Sequence, residues 1–219
     1  DMKPQRIIFL SWPGLPNYDS DFHLTHNLPA IVNFFESIIY SGVKRIVFTG
    51  TCYEYGDKSG MLSESDSPEP ICHYGISKNL LRIIIQNMCE NNSVSWAWTR
   101  IFYPYGKMQN PDSLFPSLIR SIKEKDEFFT ISSSSKKRDF INVKKVAEYL
   151  LLLSNTREDG IFNIGSGKPQ LVYDFVDNII KENKSNIKII KDSSLDRKNE
   201  PNEFWADVKK INNLRNKFL

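Results

Sequence analysis

One tyrosine and one lysine stand at a spacing that can serve proton transfer. In Tyr74-Gly-Ile-Ser-Lys78 the two side chains are four positions apart, and positions i and i+4 of a helix share one face. A free phenol titrates near ~10 and is a poor acid–base catalyst at neutral pH. An ammonium group one helical turn away favours the phenolate, so the pKa of the phenol is expected to fall. The pair therefore predicts proton exchange between Tyr74 and a substrate oxygen.

The spacing alone is weak evidence, because the chain contains three such pairs. Tyr40 and Lys44 straddle a predicted helix end, and Tyr103 and Lys107 straddle a proline and a glycine, so neither pair fits one continuous helical turn. Only Tyr74 and Lys78 open a long helical pattern. Thr51, just past the end of a predicted strand, offers a hydroxyl for the same substrate oxygen. An ordinary helix-opening tyrosine beside an unrelated surface lysine is the alternative interpretation.

The elements that must position these residues alternate along the chain. Strands are predicted at 6–12, 43–50, 93–102, 128–132, 160–164 and 187–190, and helices at 27–40, at 75–91 and from near 112, 143 and 171. Alternation of helices with nearly continuous apolar strands is typical of a parallel sheet that is covered on both faces. Such sheets bind ligands at the carboxyl ends of their strands, so we expect the chemistry in the loops after residues 12, 50 and 102.

Composition excludes several classes of protein. Of 219 residues, 40% are hydrophobic and 25% are charged, as in an ordinary globular domain. The apolar runs are too short to span a bilayer, so no membrane association is expected. Basic and acidic residues are mixed and leave a net charge of +3, which argues against nucleic-acid binding. Three cysteines without a C-x-x-C pair form no disulfide framework, and we expect a cytoplasmic location.

A possible metal motif enters the first predicted helix. Asp19, Asp21, His23 and His26 could supply oxygen and nitrogen ligands, but no second cluster completes a coordination shell. Loop polarity explains these residues, so no metal is expected. Cys52, beside the threonine, could be a thiol nucleophile, but no histidine has an evident reason to activate it.

Four segments resemble, in chain order, motifs of the nucleotide-sugar epimerases and dehydratases, which belong to the extended short-chain dehydrogenase/reductases. They are Thr49–Gly56 (T-G-T-C-Y-E-Y-G), Tyr74–Lys78 (Y-G-I-S-K), Arg100–Gly106 (R-I-F-Y-P-Y-G) and Arg138–Val143 (R-D-F-I-N-V). The family patterns are S-S/T-x-x-x-Y-G, Y-G-x-S-K, R-x-F-N-x-Y-G and R-D-F/Y-I-H-V. The resemblance covers most of the chain and implies an α/β fold, a Rossmann-like doubly wound parallel sheet with a small C-terminal substrate-binding subdomain.

The resemblance also implies roles on the catalytic and cofactor side. Thr51, Tyr74 and Lys78 fall on the catalytic residues, and Lys78 also falls on the lysine that holds the nicotinamide ribose of NAD or NADP. Ser11 and Asn27 fall on the cofactor side. Asn27 matches the helix asparagine of the family's N-x-x-G-T, although proline and alanine replace part of that motif.

On the substrate side, Tyr103, Arg138 and Arg197 match nucleotide-sugar positions by the same resemblance. Planar guanidinium groups meet phosphate oxygens bidentately, which suits the two arginines to a nucleotide diphosphate. Tyr103 stands where the family usually has a substrate-binding asparagine, so the contacts to the sugar are expected to differ from those of UDP-galactose 4-epimerases.

Departures from the family patterns narrow the expected reaction. The 4,6-dehydratases carry acidic residues one and two positions after the catalytic Ser/Thr, where this chain has Cys52 and Tyr53; Glu54 comes one residue late and is expected to point elsewhere. Dehydration is therefore disfavoured. The motifs look most like those of reductases of nucleotide-linked 4-keto-6-deoxy sugars, as in O-antigen synthesis. A C4-epimerase and a catalytically silent nucleotide-sugar-binding module are the alternatives. The resemblance further implies a homodimer formed through the helices at 27–40 and 75–91.

The glycine-rich cofactor turn of the family is missing from this sequence. The one near match, Gly165-Ser-Gly167, lies late in the chain, where the resemblance assigns a substrate-side turn. Residues 6–12 instead match the family's fourth strand, so an N-terminally truncated Rossmann domain is expected, through fragmentation or genuine loss. We expect that domain at 1–106 and the substrate subdomain at 107–219, with Arg138–Ile164 partly returning to the first.

Overall fold

The computed structural model describes residues 4–132, 135–195 and 203–218. Its strands are β1 (Arg6–Phe9), β2 (Arg45–Thr51), β3 (Gly60–Leu62), β4 (Ser95–Ile101), β5 (Pro104–Tyr105), β6 (Phe128–Ser132), β7 (Lys137–Arg138), β8 (Ile141–Asn142), β9 (Gly160–Ile164), β10 (Gln170–Leu171), β11 (Lys188–Asp192) and β12 (Phe204–Ala206). Its α-helices are α1 (Leu28–Tyr40), α2 (His73–Asn91), α3 (Leu114–Glu124), α4 (Val143–Asn155), α5 (Val172–Glu182) and α6 (Lys209–Phe218).

A parallel four-stranded sheet lies at the centre, in the order β1-β2-β4-β9. Ile46 of β2 faces Ile7 of β1 on one side and Trp96 of β4 on the other, and Trp98 of β4 faces Ile161 of β9. Because all four strands run the same way, the residues that follow β1, β2 and β4 meet at one edge. The predicted Rossmann-like parallel sheet is confirmed.

Helices cover both faces of this sheet, because the strand residues alternate in direction. Ile46 and Phe48 pack with α1 and α2, whereas Val47 packs with α4 and α6. A separate apolar cluster joins α3, α5, β6 and β11. The predicted strands at 128–132 and 160–164 agree with β6 and β9, but β1 ends three residues earlier than predicted, and α6 and the short pairs β3–β12 and β7–β10 were not predicted.

A glycine follows the end of α1. Gly42 follows α1 with a φ of +91°, a conformation that glycine adopts without strain. Strand β9 comes after α3 in the chain and pairs with β4 of the central sheet. The domain boundary near residue 106 stays a prediction. No helix within the described ranges is long and apolar enough to cross a membrane.

Candidate functional site

Thr51, Tyr74 and Lys78 lie together at the carboxyl edge of the sheet. Thr51 is the last residue of β2, and the other two occupy the first turns of α2. The Thr51 hydroxyl hydrogen-bonds the phenol of Tyr74. The ammonium of Lys78 donates a 2.6 Å hydrogen bond to the carbonyl oxygen of Thr49. The structure therefore brings together the three residues that the sequence singled out.

A capping box fixes the turn that carries Thr51. Its hydroxyl accepts a 3.3 Å hydrogen bond from the Tyr53 amide, and its own amide donates a 2.9 Å bond to the carboxylate of Glu54. Glu54 is fully buried, and its carboxylate also accepts hydrogen bonds from Trp98 and Arg100 inside the protein. The spacing T-x-x-E is the local sequence signal of this motif and would have predicted it.

Four aromatic rings surround the ring of Tyr74. The ring centroids of Trp12, Tyr18, His23 and Tyr53 lie 5.5–6.1 Å from that of Tyr74. This burial raises the pKa of the phenol, and the hydrogen bond from Thr51 acts in the opposite direction. The predicted lowering of this pKa is therefore wrong, since desolvation of the phenol raises it.

Lys78 is buried beneath a tryptophan. Its ammonium lies 4.1 Å from the centre of the Trp12 ring, and only 2% of its surface is exposed. Burial lowers the pKa of Lys78 to about 7, and the negative charge of Glu54 acts in the opposite direction. Near pH 7 the protonated and the neutral form of Lys78 are therefore both populated.

The two residues assigned to the cofactor side occupy different environments. Ser11 is exposed just after β1. Asn27 is buried, and its amide donates to the carbonyl oxygen of Pro13 at 2.9 Å and lies 3.3 Å from a ring nitrogen of His23. Asn27 thus ties the loop after β1 to the start of α1, and its contact with a cofactor stays a prediction.

His23 organises the same loop from within. It is fully buried in a π-helical turn, His23–Asn27, that precedes α1. Its Nε2 donates to the carbonyl oxygen of Asn17 at 2.7 Å, and its Nδ1 accepts from the indole of Trp12 at 3.1 Å. Both ring nitrogens are thus engaged within the loop. No group of three His, Cys, Asp or Glu side chains in the described ranges could hold a metal ion.

On the substrate side, Arg138 lies between aromatic rings. It is 3% exposed, and its guanidinium carbon is 5.4 Å from the Tyr103 ring centre and 5.5 Å from that of Phe204. Its Nη1 donates to the carbonyl oxygen of Lys137 at 2.8 Å. The structure therefore places the predicted pair Arg138 and Tyr103 side by side, whereas Arg197 lies outside the described residues.

Asp139 is a structural residue that the sequence analysis missed. Its buried carboxylate accepts hydrogen bonds from the amides of Ser166, Gly167 and Ala206 at 2.6–3.0 Å. A side chain on Gly165 would collide with this carboxylate. The glycine turn after β9 therefore holds Asp139, and its amides are not available for a pyrophosphate.

Cys52 lies in an environment that disfavours a nucleophile. The side chain is buried directly after Thr51, and desolvation raises the pKa of its thiol. Since the thiolate is the reactive form, the raised pKa argues against a nucleophilic role. Cys89, on the core face of α2, is fully buried.

Comparison with known proteins tests the family resemblance. Residues 16–165, more than half of the chain, match the NAD dependent epimerase/dehydratase family. The chain belongs to this family. It is 30% identical over 186 residues, 83% of the chain and 67% of the relative, to dTDP-6-deoxy-L-talose 4-dehydrogenase (NAD(+)) of Aggregatibacter actinomycetemcomitans.

Two further similarities extend this result. The chain is 29% identical to dTDP-4-dehydro-6-deoxyglucose reductase of Escherichia coli, over 69% of the chain and 49% of that protein. The structure of MoeE5 in complex with UDP-glucuronic acid and NAD superimposes with a TM-score of 0.84 and 25% identity, covering 96% of this chain and 72% of that one. The chain spans about half to two thirds of the length of these curated relatives.

Proposed function

We propose that this chain carries the catalytic and sugar-binding parts of an NAD(P)-dependent reductase that acts on the 4-keto group of a nucleotide-linked sugar. The observation that carries the proposal is the meeting of Thr51, Tyr74 and Lys78 around the carboxyl end of β2. Two similar proteins support the choice of substrate, because their names place the chemistry at position 4 of a dTDP-linked 6-deoxy sugar.

In this proposal Tyr74 is the proton donor. Because burial raises its pKa, the phenol is protonated at neutral pH and can give its proton to a carbonyl oxygen that becomes a hydroxyl. Thr51 hydrogen-bonds the same oxygen, and Lys78 stabilises the tyrosinate that is left. A bound nicotinamide dinucleotide supplies the hydride for the carbonyl carbon.

The protonated phenol favours reduction over C4-epimerisation. An epimerase needs Tyr74 to remove a proton from the sugar hydroxyl in its first step, and a raised pKa opposes that step. The two reactions are told apart by following absorbance of the reduced nicotinamide with a nucleotide-linked 4-keto-6-deoxy sugar. A reductase consumes one reduced dinucleotide for each alcohol formed, whereas inversion at C4 of a nucleotide-linked 4-hydroxy sugar without net consumption would identify an epimerase. Binding without turnover would identify a silent module.

The described residues fit a nicotinamide dinucleotide in part. Lys78 and Ser11 lie at the edge where the nicotinamide ribose would be held, but the sequence has no G-x-G-x-x-G turn after a strand. We therefore expect residues 1–219 by themselves to bind NADH and NADPH weakly, and the same chain extended upstream to bind them more tightly. Fluorescence titration of both lengths tests this, and micromolar binding by the short chain would contradict it.

Arg138 is proposed to bind the nucleotide diphosphate, together with Arg197. A charge-assisted hydrogen bond of this kind is worth roughly 1.5–3 kcal/mol, so Arg138→Ala should weaken binding of a nucleoside diphosphate by about 10- to 150-fold. Lys137→Ala is the matched control. Lys137 precedes Arg138 in the chain, and its ammonium pairs with Glu203. Calorimetry that shows equal affinity for both variants would exclude Arg138 from the phosphate site.

The proposed enzyme is a homodimer, located in the cytoplasm. The predicted dimer helices pack some of their apolar side chains into the core, namely Ile31, Phe35, Leu81 and Ile85. Other apolar side chains of the same helices are 40–48% exposed, namely Phe34, Leu80 and Ile83. These three side chains support a second apolar face on α1 and α2. Ile83→Glu should give a monomer in light scattering. Leu151→Glu, at an exposed position of α4 on the other side of the sheet, should leave the state of association unchanged.

A further inference from the structure

Two buried charges of opposite sign flank the carboxyl end of β2. Lys78 binds the carbonyl oxygen of Thr49, and Glu54 binds the amide of Thr51. Gly50 lies between them, and a side chain there would meet the Oε1 atom of Glu54. Both groups thus bind the backbone of one strand end, Lys78 at Thr49 and Glu54 at Thr51, and this strand end carries a proposed catalytic hydroxyl.

The carboxylate of Glu54 is fully engaged. Oε1 accepts a 2.9 Å hydrogen bond from the indole of Trp98 in addition to the bond from Thr51. Oε2 accepts a 3.0 Å bond from Nε of Arg100, and both charged side chains are at most 1% exposed. Since a buried charge is costly without partners, these bonds hold the carboxylate in place and pair it with the guanidinium of Arg100.

We propose that Glu54 is a positioning residue for the Thr51–Tyr74–Lys78 site: it fixes the backbone of Thr51 and supplies the negative charge that keeps Lys78 an ammonium. The inference deepens the proposed function and rests on it for its catalytic meaning. Burial lowers the pKa of Lys78 to about 7 even with the opposing charge of Glu54, so without that charge the neutral amine would predominate at neutral pH. A neutral amine would no longer stabilise a tyrosinate.

The surroundings of Lys78 make this assignment specific. The rings of Trp12 and Tyr74 face the ammonium at 4.1 and 5.9 Å, and both are uncharged at neutral pH. Arg100 binds Oε2 of Glu54, whereas Oε1 binds the Thr51 amide, two residues after the carbonyl that holds Lys78. The carboxylate is therefore expected to act on Lys78 more strongly than the guanidinium does.

The test is a titration of Lys78 by NMR in the 219-residue chain with ¹³Cε-labelled lysine, its signal assigned with Lys78→Met. In Glu54→Gln the midpoint should fall by about 1 pH unit. Trp98→Phe is the matched control, since it removes one neutral donor to the same carboxylate and keeps the charge; its midpoint should stay within about 0.3 units. Mere loosening of the site would hydrate the lysine and raise the midpoint toward about 10.4.

A second variant covers a failure of Glu54→Gln to fold. The double variant Glu54→Gln/Arg100→Gln removes both charges, so no unpaired buried guanidinium remains. Its Lys78 midpoint should also fall, because the carboxylate is expected to act on Lys78 more strongly than the guanidinium of Arg100 does. A midpoint that is unchanged or higher in the folded variant overturns the proposal.

The complete enzyme provides an independent readout. Loss of the anion lowers the pKa of Lys78, so the high-pH decline of kcat/KM should move to lower pH in Glu54→Gln. The NMR titration needs no turnover. Absence of reductase activity with the expected midpoint shift would therefore count against the proposed function and leave the role of Glu54 standing.

Discussion

The start of α2 and the end of α1 carry the same Y-x-x-x-K spacing in opposite surroundings. Tyr74 and Lys78 are 8% and 2% exposed, next to the end of β2. Tyr40 is 78% exposed, and Lys44 follows the glycine that ends α1 and lines a cavity of about 530 Å³ at the other end of the sheet. The difference shows that chemistry at this spacing comes from the strand end and the burial it provides, since the residue types are identical.

Burial also shifts both pKa values at the start of α2. It raises the pKa of Tyr74 and lowers that of Lys78 to about 7, so the phenol stays protonated while the lysine exchanges its proton near neutral pH. Perturbed titration of this kind is typical of functional sites.

Removing the phenolic hydroxyl should separate the two regions most clearly. In the complete enzyme Tyr74→Phe should lower kcat by ~10²–10⁴-fold, because the proton donor is lost while the ring packing is kept. Tyr40→Phe should leave kcat unchanged. Steady-state kinetics of both variants measure this, and near-wild-type turnover in Tyr74→Phe would refute the proton-donor role.

Removing the two ammonium groups should differ in its dependence on pH. The folded pKa of Lys78, about 7, lies below the unfolded value. Between about pH 7 and 10 the unfolded chain therefore binds more protons at this residue, and wild-type stability gains by up to about 1.4 kcal/mol per pH unit. Below pH 7 this contribution is constant and unfavourable to folding.

Lys78→Met removes that dependence. The stability of this variant relative to wild type should be greatest at about pH 6 and should decline as the pH rises through 7 toward 10. Lys44→Met is the matched control, because the side chain of Lys44 is exposed. Urea denaturation at several pH values measures both; a pH-independent difference for Lys78→Met would contradict the buried ammonium.

The two glycines near these pairs should respond differently to alanine. At Gly50 a methyl group would overlap the Trp98 indole and the Glu54 carboxylate, so Gly50→Ala should destabilise by about 1–3 kcal/mol through overpacking. At Gly42 no atom lies within 4 Å, and Gly42→Ala should cost about 1 kcal/mol through its positive φ. Equal losses of the free energy of unfolding, measured in urea, would show that position 50 has room to relax.

The smallest effect is expected at the exposed tyrosine. Tyr40→Phe should change the free energy of unfolding by no more than about 0.5 kcal/mol, because its hydroxyl lies on the surface. A larger change in urea denaturation would mean that the end of α1 is held by contacts other than those of its core face.

Much of the architecture could be predicted from local pattern. The apolar runs that became β6 and β9 and the helical periodicity of α1 and α2 were sufficient, because burial on two faces leaves a regular trace in sequence. β3 and β12 could not be found in this way. Each is three residues long and is stabilised by pairing with the other, across more than 140 positions of chain.

The sequence by itself determined the family, the parallel sheet and the choice of Tyr74 and Lys78, since motifs and helical spacing are local properties. The environment of those residues depends on the fold. In the folded chain, Glu54 accepts a hydrogen bond from Arg100, and an amide of the turn after β9 binds Asp139. Burial also reverses the expected direction of the Tyr74 pKa shift. The physical reason is that desolvation and Coulomb interactions depend on distances between residues far apart in the chain, which no local spacing records.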